Sequence, residues 1–401
     1  MVVAPCLARD GQGRPRLEVA DIFRATHEAY CDRYVPTFDQ RKVMAAIERC
    51  RTAALGGHLD VCTKCGREAP AYNSCRNRHC PKCQSLTQAR WIEQRRQRIV
   101  PTKYFHVVFT LPQELRKLAR ANPKEIYDLV IESAARTLLD FGKSRLRAQL
   151  GVTTVLHTWT RELRFHPHAH CIVTAGGLDD QEHWIPARSR FLFPVKAMSR
   201  VFRAKLLEGL DRLFERRALD HGRPCAELAD PDTFARLKDR LYRKEWVVYA
   251  KRPFGGPDQV FQYLGRYTHR VGISNQRLLT FDGHEVCFRT KHGNTTTVDA
   301  VEFVRRFLLH VLPTGFVKIR HYGLIAAANV TTKLPIARRC LLGRDDAAAL
   351  QPVDPQSAPS WHDLFFALTG IDLLTCPTCG ARTIERRPLR TGNDACSVDT
   401  S

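Results

Sequence analysis

No apolar run in this sequence is long enough to cross a bilayer. The longer ones, such as Tyr322–Val330, fall well short of the ~20 residues a spanning helix needs. The first residues, MVVAPCLARDGQGRPR, hold no apolar core followed by a cleavage site, so no export signal is expected. A phosphate-binding loop is missing too. Gly142-Lys143-Ser144 looks like the end of one, but Thr137 stands where the motif needs its first glycine. Acidic residues are few beside basic ones, and they do not gather as a three-carboxylate nuclease requires. Asp179-Asp180 and several glutamates fall in predicted loops or on helix surfaces. No internal repeat is visible. The expectation is a soluble, cytoplasmic protein with no membrane partner and no P-loop chemistry.

What is present points to a polyanion. The chain has 401 residues, enough for two or three domains at ~150 residues each. Hydrophobic content of 44% and charged content of 26% are ordinary for a globular chain and exclude wholesale disorder. Lys and Arg number 63 against 41 Asp and Glu, a net charge of +22. Nucleic acid is the usual partner of such an excess when no amphipathic membrane helix accompanies it.

Fifteen cysteines without an export signal are not expected to form a disulfide framework. Cys6, Cys31, Cys50, Cys171, Cys225, Cys287 and Cys340 are scattered and read as structural thiols. The others cluster. In HLDVCTKCGREAPAYNSCRNRHCPKCQ, Cys62-x-x-Cys65 and Cys80-x-x-Cys83 offer two thiolate pairs. Paired turns of this kind deliver four soft ligands to one Zn²⁺. His58, Cys75 and His79 are also in reach, either to replace a thiolate or to support a second ion. Arg76, Arg78, Arg95 and Arg96 give the module a basic rim suited to phosphates. Near the end, Cys376-Pro-Thr-Cys379-Gly looks like half a zinc knuckle. Cys396 and His362 are poorly spaced partners for it, so the tail is either truncated or closes on residues elsewhere.

A second constellation is FHPHAHCIVTAGGL at 165–178. Alternate strand residues share a face, so His168 and His170 present two imidazoles side by side. Two ligands need a third. His157 lies on the preceding predicted strand and joins the pair if it falls opposite residue 168, which a hairpin loop of even length gives. His166 and Glu162 compete for the role. A third constellation is DQVFQYLGRYTHR at 258–270, a predicted helix on which Tyr263 and Tyr267 stack, with Arg266 and Arg270 on the adjacent face.

SCRNRHCPKCQ, HPHAHCIV followed by GGL, QYLGRYTHRVGISN and KIRHYGL together resemble the rolling-circle transposases of insertion sequences of the IS-ninety-one type, within the HUH endonuclease superfamily. The resemblance covers roughly residues 30–340. It implies Mg²⁺ or Mn²⁺ on His168, His170 and a third ligand, and attack by Tyr263 or Tyr267 on a DNA phosphate. The products are a free 3′-OH and a 5′-phosphotyrosine link. It also implies single-stranded or unwound element ends as the DNA. The competing reading is a non-catalytic zinc-ribbon DNA-binding protein.

The expected fold is α+β, with a central, mainly antiparallel sheet and flanking helices. Residues 1–57 form a helical segment and 58–98 the zinc module with a basic exit helix. The nuclease domain spans 101–341. A flexible linker and Cys-x-x-Cys tail occupy 342–401. Strand 104–111, the most uniformly apolar, is expected at the centre of the sheet, with helices at 123–150 and 196–219 covering the face away from the histidines.

Overall fold

The computed structural model describes residues 17–83, 98–187, 192–251, 253, 272–347 and 360–389. Helices α1 (Val19–Arg33) and α2 (Phe38–Arg49) each begin in a reciprocal cap, Glu18 with Asp21 and Thr37 with Gln40. Such caps satisfy N–H groups that a first helical turn leaves unpaired. Strands β1 (Gly57–Cys62) and β2 (Glu68–Tyr72) follow as a hairpin. The helices expected over 84–98 and 258–270 lie outside the described residues, apart from Arg98.

The chain then builds the main sheet. Strand β3 (Tyr104–Thr110) leads through α3 (Arg116–Ala121) to α4 (Pro123–Phe141), which opens on a proline as a first turn allows. Helix α4 stops well before residue 150, because Arg147 turns left-handed and the β-branched run from Val152 takes over in β4. Strands β4 (Gln149–Trp159), β5 (Phe165–Leu178) and β6 (Trp184–Pro186) precede helices α5 (Val195–Glu215) and α6 (Pro231–Arg243) and strand β7 (Val248–Ala250). Next come β8 (Leu278–Phe281), β9 (Glu285–Arg289), β10 (Thr295–Asp299) and helix α7 (Ala300–Leu308). The Asp282-Gly283 turn joins β8 to β9 as expected, with Gly283 at φ +98°. Strand β11 (Ile319–Gly323), helices α8 (Lys333–Ala347) and α9 (Trp361–Thr369) and strand β12 (Ile384–Pro388) complete the order.

The main sheet runs β11-β4-β5-β3-β7 with antiparallel pairing, and β6 adds to β5. The centre is therefore β5, not the 104–111 strand, which lies one place from the edge. The 14-residue β5 is long enough to pair with β4, β3 and β6, whereas β3 gains only the three residues of β7 as its outer neighbour. Strand alternation gives the sheet two unlike faces. Phe105, Val107, Phe109, Leu156, Ala169, Cys171 and Val173 point into the main apolar core with α4 and α5. His106, His157, His168 and His170 take the opposite parity.

A second layer joins the N-terminal helices to the segment that follows the main-sheet strand β7. Helices α1 and α2 share an apolar core with α7 and the β8-β9-β10 sheet, and Phe23 meets Phe307 edge to face at 5.2 Å. This layer holds the loop between β4 and β5. The Arg306 guanidinium donates to the carbonyl of Glu162 and that of Arg277 to the carbonyl of Arg161. His310 Nε2 donates to the carbonyl of Leu163 at 3.1 Å, which leaves Nδ1 to accept from the Thr158 hydroxyl at 3.2 Å.

Two consequences can be measured. Gly323 sits at φ +62°, and a Cβ there would lie 2.0 Å from the carbonyl oxygen of Leu150. Gly323→Ala is expected to cost about 3 kcal/mol in urea denaturation, from backbone strain plus overpacking. Burial pushes His310 down to about 4. An unfolded histidine titrates near ~6.5, so between there and 4 the unfolded chain binds a proton that the folded one refuses. Stability should be full above that range and fall as pH drops through it. In denaturation midpoints measured across the range, His310→Gln should flatten the slope.

Candidate metal centres

The histidine face depends on the geometry of one hairpin. Trp159 pairs with Phe165, and residues 160–164 make a loop of odd length. On parity alone that would turn His157 away. The register shifts, however: one residue of β4 separates Trp159 from His157, while His166 and Pro167 separate Phe165 from His168. This bulge in β5 restores the pairing of His157 with His168. Proline lacks the N–H of a regular ladder, which is why a bulge is tolerated there.

The three rings then converge. Ring centroids of His157 lie 4.5 Å from His170 and 5.6 Å from His168, and one nitrogen from each ring lies within 4.8 Å of the others. The Nε2 atoms of His168 and His170 are 3.1 Å apart. His168 Nδ1 donates to the carbonyl of His166 at 2.6 Å, so its Nε2 carries the lone pair. Burial holds His168 down to about 4, which keeps the ring neutral and able to ligate at neutral pH. The competitors stand aside. His166 Nδ1 accepts from the Arg116 guanidinium at 2.7 Å, and Glu162 is not part of the group.

A fourth ring went unnoticed in the sequence. His106 on β3 places Nε2 2.8 Å from Nδ1 of His170. Burial, then the charge of Lys251, pushes His106 down to about 3, so the His106 ring is neutral at neutral pH. A partner on Nδ1 fixes which way the His170 ring faces, as outer histidines and carbonyls do for metal ligands generally. The available signal was parity: residue 106 matches 108 and 110, which oppose His170 and His168.

The thiols form two groups instead of one. Cys62 and Cys65 do not meet Cys80 and Cys83. They sit at the far end of the β1–β2 hairpin, five residues from its base at Gly57 and Tyr72, or about 17 Å along the strand. At the base, Cys80 and Cys83 gather with Cys75 and Cys50. Cys83 Sγ lies 3.5 Å from Cys50 Sγ and 3.6 Å from Cys75 Sγ. Cys50 is therefore no isolated structural thiol; it ends α2 and turns its sulfur into the cluster. Hydrogen bonds from its cysteine neighbours hold Cys83 well below the usual thiol range, and those of Cys75 and Cys80 bring Cys50 to about 7. The same contacts push Cys75 and Cys80 up, because the four sulfurs share their protons, and four sulfurs this close suit a cation in place of those protons. Cys62 and Cys65 gather instead with Cys376 and Cys379. His58 is placed 3.3 Å from Asp60, and His79 Nε2 accepts from the amide of Leu312, so neither replaces a thiolate.

Of the expected DNA-contacting cations, Arg76 is exposed, while Arg78 spends its guanidinium on the carbonyl of Phe316 at 2.7 Å. Tyr263, Tyr267, Arg266, Arg270, Arg95 and Arg96 lie outside the described residues.

Comparison with known proteins places this architecture. A family described as "Transposase zinc-binding domain", of the IS91 type, matches residues 22–111, and one described as "Putative transposase" matches residues 151–333. A protein named "Putative transposase y4qJ" from Sinorhizobium fredii (strain NBRC 101917 / NGR234) is 45% identical over 372 residues, 90% of this chain and 92% of that protein. The chain belongs to the IS91-type transposases. A second relative, "Transposase for insertion sequence element IS801" from Pseudomonas savastanoi pv. phaseolicola, is 27% identical over 354 residues, 84% of this chain and 80% of the relative. No solved structure matches. As an IS91-type transposase the chain processes DNA, and among its described residues no helix is long and apolar enough to cross a membrane. The Cys50–Cys75–Cys80–Cys83 group falls wholly within the zinc-binding match, and the three histidines fall within the other.

Removing a thiol from the first group should release its ion. Cys50→Ala is expected to lower zinc content by one ion per chain, read by elemental analysis of the purified protein. Unchanged zinc would show that Cys50 is not a ligand.

Proposed function

We propose that this transposase nicks single-stranded DNA at the ends of its insertion sequence by tyrosine attack and passes strands through a 5′-phosphotyrosine intermediate. The observation that carries this reading is the convergence of His157, His168 and His170 on one sheet face, within the matched transposase region. Three imidazoles gathered within ligand distance of one another make a nitrogen donor set for one cation, which DNA binding alone does not require. A divalent cation on this triad would polarise the scissile phosphate. Three nitrogen donors suit Mn²⁺ better than Mg²⁺, whose preference is for oxygen.

The chain's own residues do the rest. The phenolic oxygen of Tyr263 or Tyr267 bonds to phosphorus and loses its proton. The bond from phosphorus to the 3′-oxygen breaks, and that oxygen takes up a proton. One phosphate ester replaces another, so no nucleotide is hydrolysed. The second tyrosine permits a second cleavage within the same site. Where one suffices, Tyr267 is the one we assign. Arg266 and Arg270, with Arg76, Arg95 and Arg96, would hold the phosphates. His106 would act as a positioning residue by fixing the ring of His170.

The test is a nicking assay on single-stranded oligonucleotides from the element ends, with the adducted peptide identified. Tyr263→Phe combined with Tyr267→Phe should abolish the covalent adduct and leave DNA binding intact. His168→Ala should do the same, because affinity comes from the basic surface. His106→Ala should lower metal affinity or activity by about 10–100-fold, the usual cost of losing such a partner. No covalent adduct from wild type in the presence of metal would leave the non-catalytic zinc-ribbon reading standing. Normal nicking by the double tyrosine variant, or by His168→Ala in chelator-free buffer, would overturn the assignment of the nucleophile or of the metal site.

A further inference from the structure

The zinc-binding family match ends at residue 111 and contains the whole group at the base of the hairpin. Four more thiols, from opposite ends of the chain, are left to explain. Cys62 Sγ lies 3.6 Å from Cys379 Sγ, and Cys65 Sγ lies 3.7 Å from Cys376 Sγ, across 311 residues of sequence. These separations are far too long for a disulfide, whose S–S bond is about 2.05 Å. They do match the edge of a sulfur tetrahedron, about 3.8 Å for zinc–sulfur bonds of about 2.3 Å.

The backbone supports the same conclusion. Cys62-Thr-Lys-Cys65-Gly66 and Cys376-Pro-Thr-Cys379-Gly380 fold alike. Gly66 has φ +70° and Gly380 φ +69°. In each, the glycine amide donates to the carbonyl of the first cysteine at 2.9 Å. The first cysteine's amide in turn donates to the carbonyl five residues on, Arg67 in one turn at 2.9 Å and Ala381 in the other at 2.8 Å. Amides of Lys64 and Cys65 face the Cys62 sulfur, and those of Thr378 and Cys379 face the Cys376 sulfur. Two matching turns, each aiming amides at a sulfur, meet with their thiols inward. Strand β12 pairs with β1 alongside, from Cys62 opposite Ile384 to His58 opposite Pro388.

We propose that Cys62, Cys65, Cys376 and Cys379 bind a second zinc ion, a structural site that clasps the C-terminal strand onto the N-terminal hairpin. The clasp turns the β1–β2 hairpin into a three-stranded sheet. It also brings Arg386 and Arg387 of the tail beside the module, the former 3.3 Å from Asp60. The site stands apart from the nuclease reading, since it shares no residue with the histidine face.

Zinc content of the full purified chain tests the proposal. Wild type should carry two ions per chain, and Cys376→Ala combined with Cys379→Ala should carry one. Substitution with Co²⁺ should give thiolate charge-transfer absorption that falls by about half in the double variant. Cys379→His supplies another zinc ligand and should keep both ions with an altered cobalt spectrum, which separates ligation from misfolding. Limited proteolysis should release the tail faster from the alanine variant than from wild type or Cys379→His. A wild-type content of one ion, or two ions retained in the alanine variant, would overturn the second site.

Discussion

A single extra residue in β5 determines where His157 points. Side chains alternate along a strand, so a register slip of one residue would carry His157 to the helix-covered face and leave His168 and His170 without a third ring. The three-ring group depends on that parity. The bulge at His166–Pro167 sets it, and three donors from the second layer, His310, Arg306 and Arg277, hold the adjoining loop by its carbonyls. Leu163, at the turn of the loop, accepts φ +59° and is fully buried in the second core. A loop fixed at backbone and side chain cannot readily shift the strands that leave it.

The two cysteine groups solve a different problem. The β1–β2 hairpin is short and half exposed, with little apolar surface of its own. Small folds that lack a sufficient core commonly recruit metal in its place. Here one four-sulfur group lies at the base of the hairpin and the other at its tip, so each end is fastened separately. The base group ties the hairpin to α2 through Cys50, and the tip group ties it to β12. A single site built from both C-x-x-C units would have had to fold a strand of about 17 Å back on itself.

How much of this was legible depended on distance along the chain. The strand positions of His168 and His170, the Asp282-Gly283 turn and the covering helices α4 and α5 follow from local pattern, and all are where pattern puts them. The approach of His157 was readable only as a parity condition. The loop length pointed the wrong way, and the compensating signal, Pro167 inside a strand, carries weight only once the pairing partner is known. Cys50 was misread because it stands alone, 25 residues before Cys75, with no neighbouring thiol to mark it. Cys376 and Cys379 announced half a site, but the other half is more than three hundred residues away, beyond any spacing rule. The apolar character of β3 reflects burial on one face and a histidine-lined second face, not a central place in the sheet.

These parts are mechanically continuous. Cys50 is buried in the same apolar cluster as Ile47 of α2, Phe23 of α1, Phe303 and Phe307 of α7, and Leu163 of the hairpin loop. From Leu163 the contact passes through His310 to Thr158, the neighbour of His157 in β4. An ion at the first cysteine group therefore fixes the end of α2, the α1–α2 pair fixes α7, and the α7 layer fixes the loop that sets the histidine parity. Packed interiors resist small displacements because they are as dense as crystals of small molecules. It follows that the zinc module has a structural part in the fold. It supports, at one remove, the hairpin on which the three imidazoles meet.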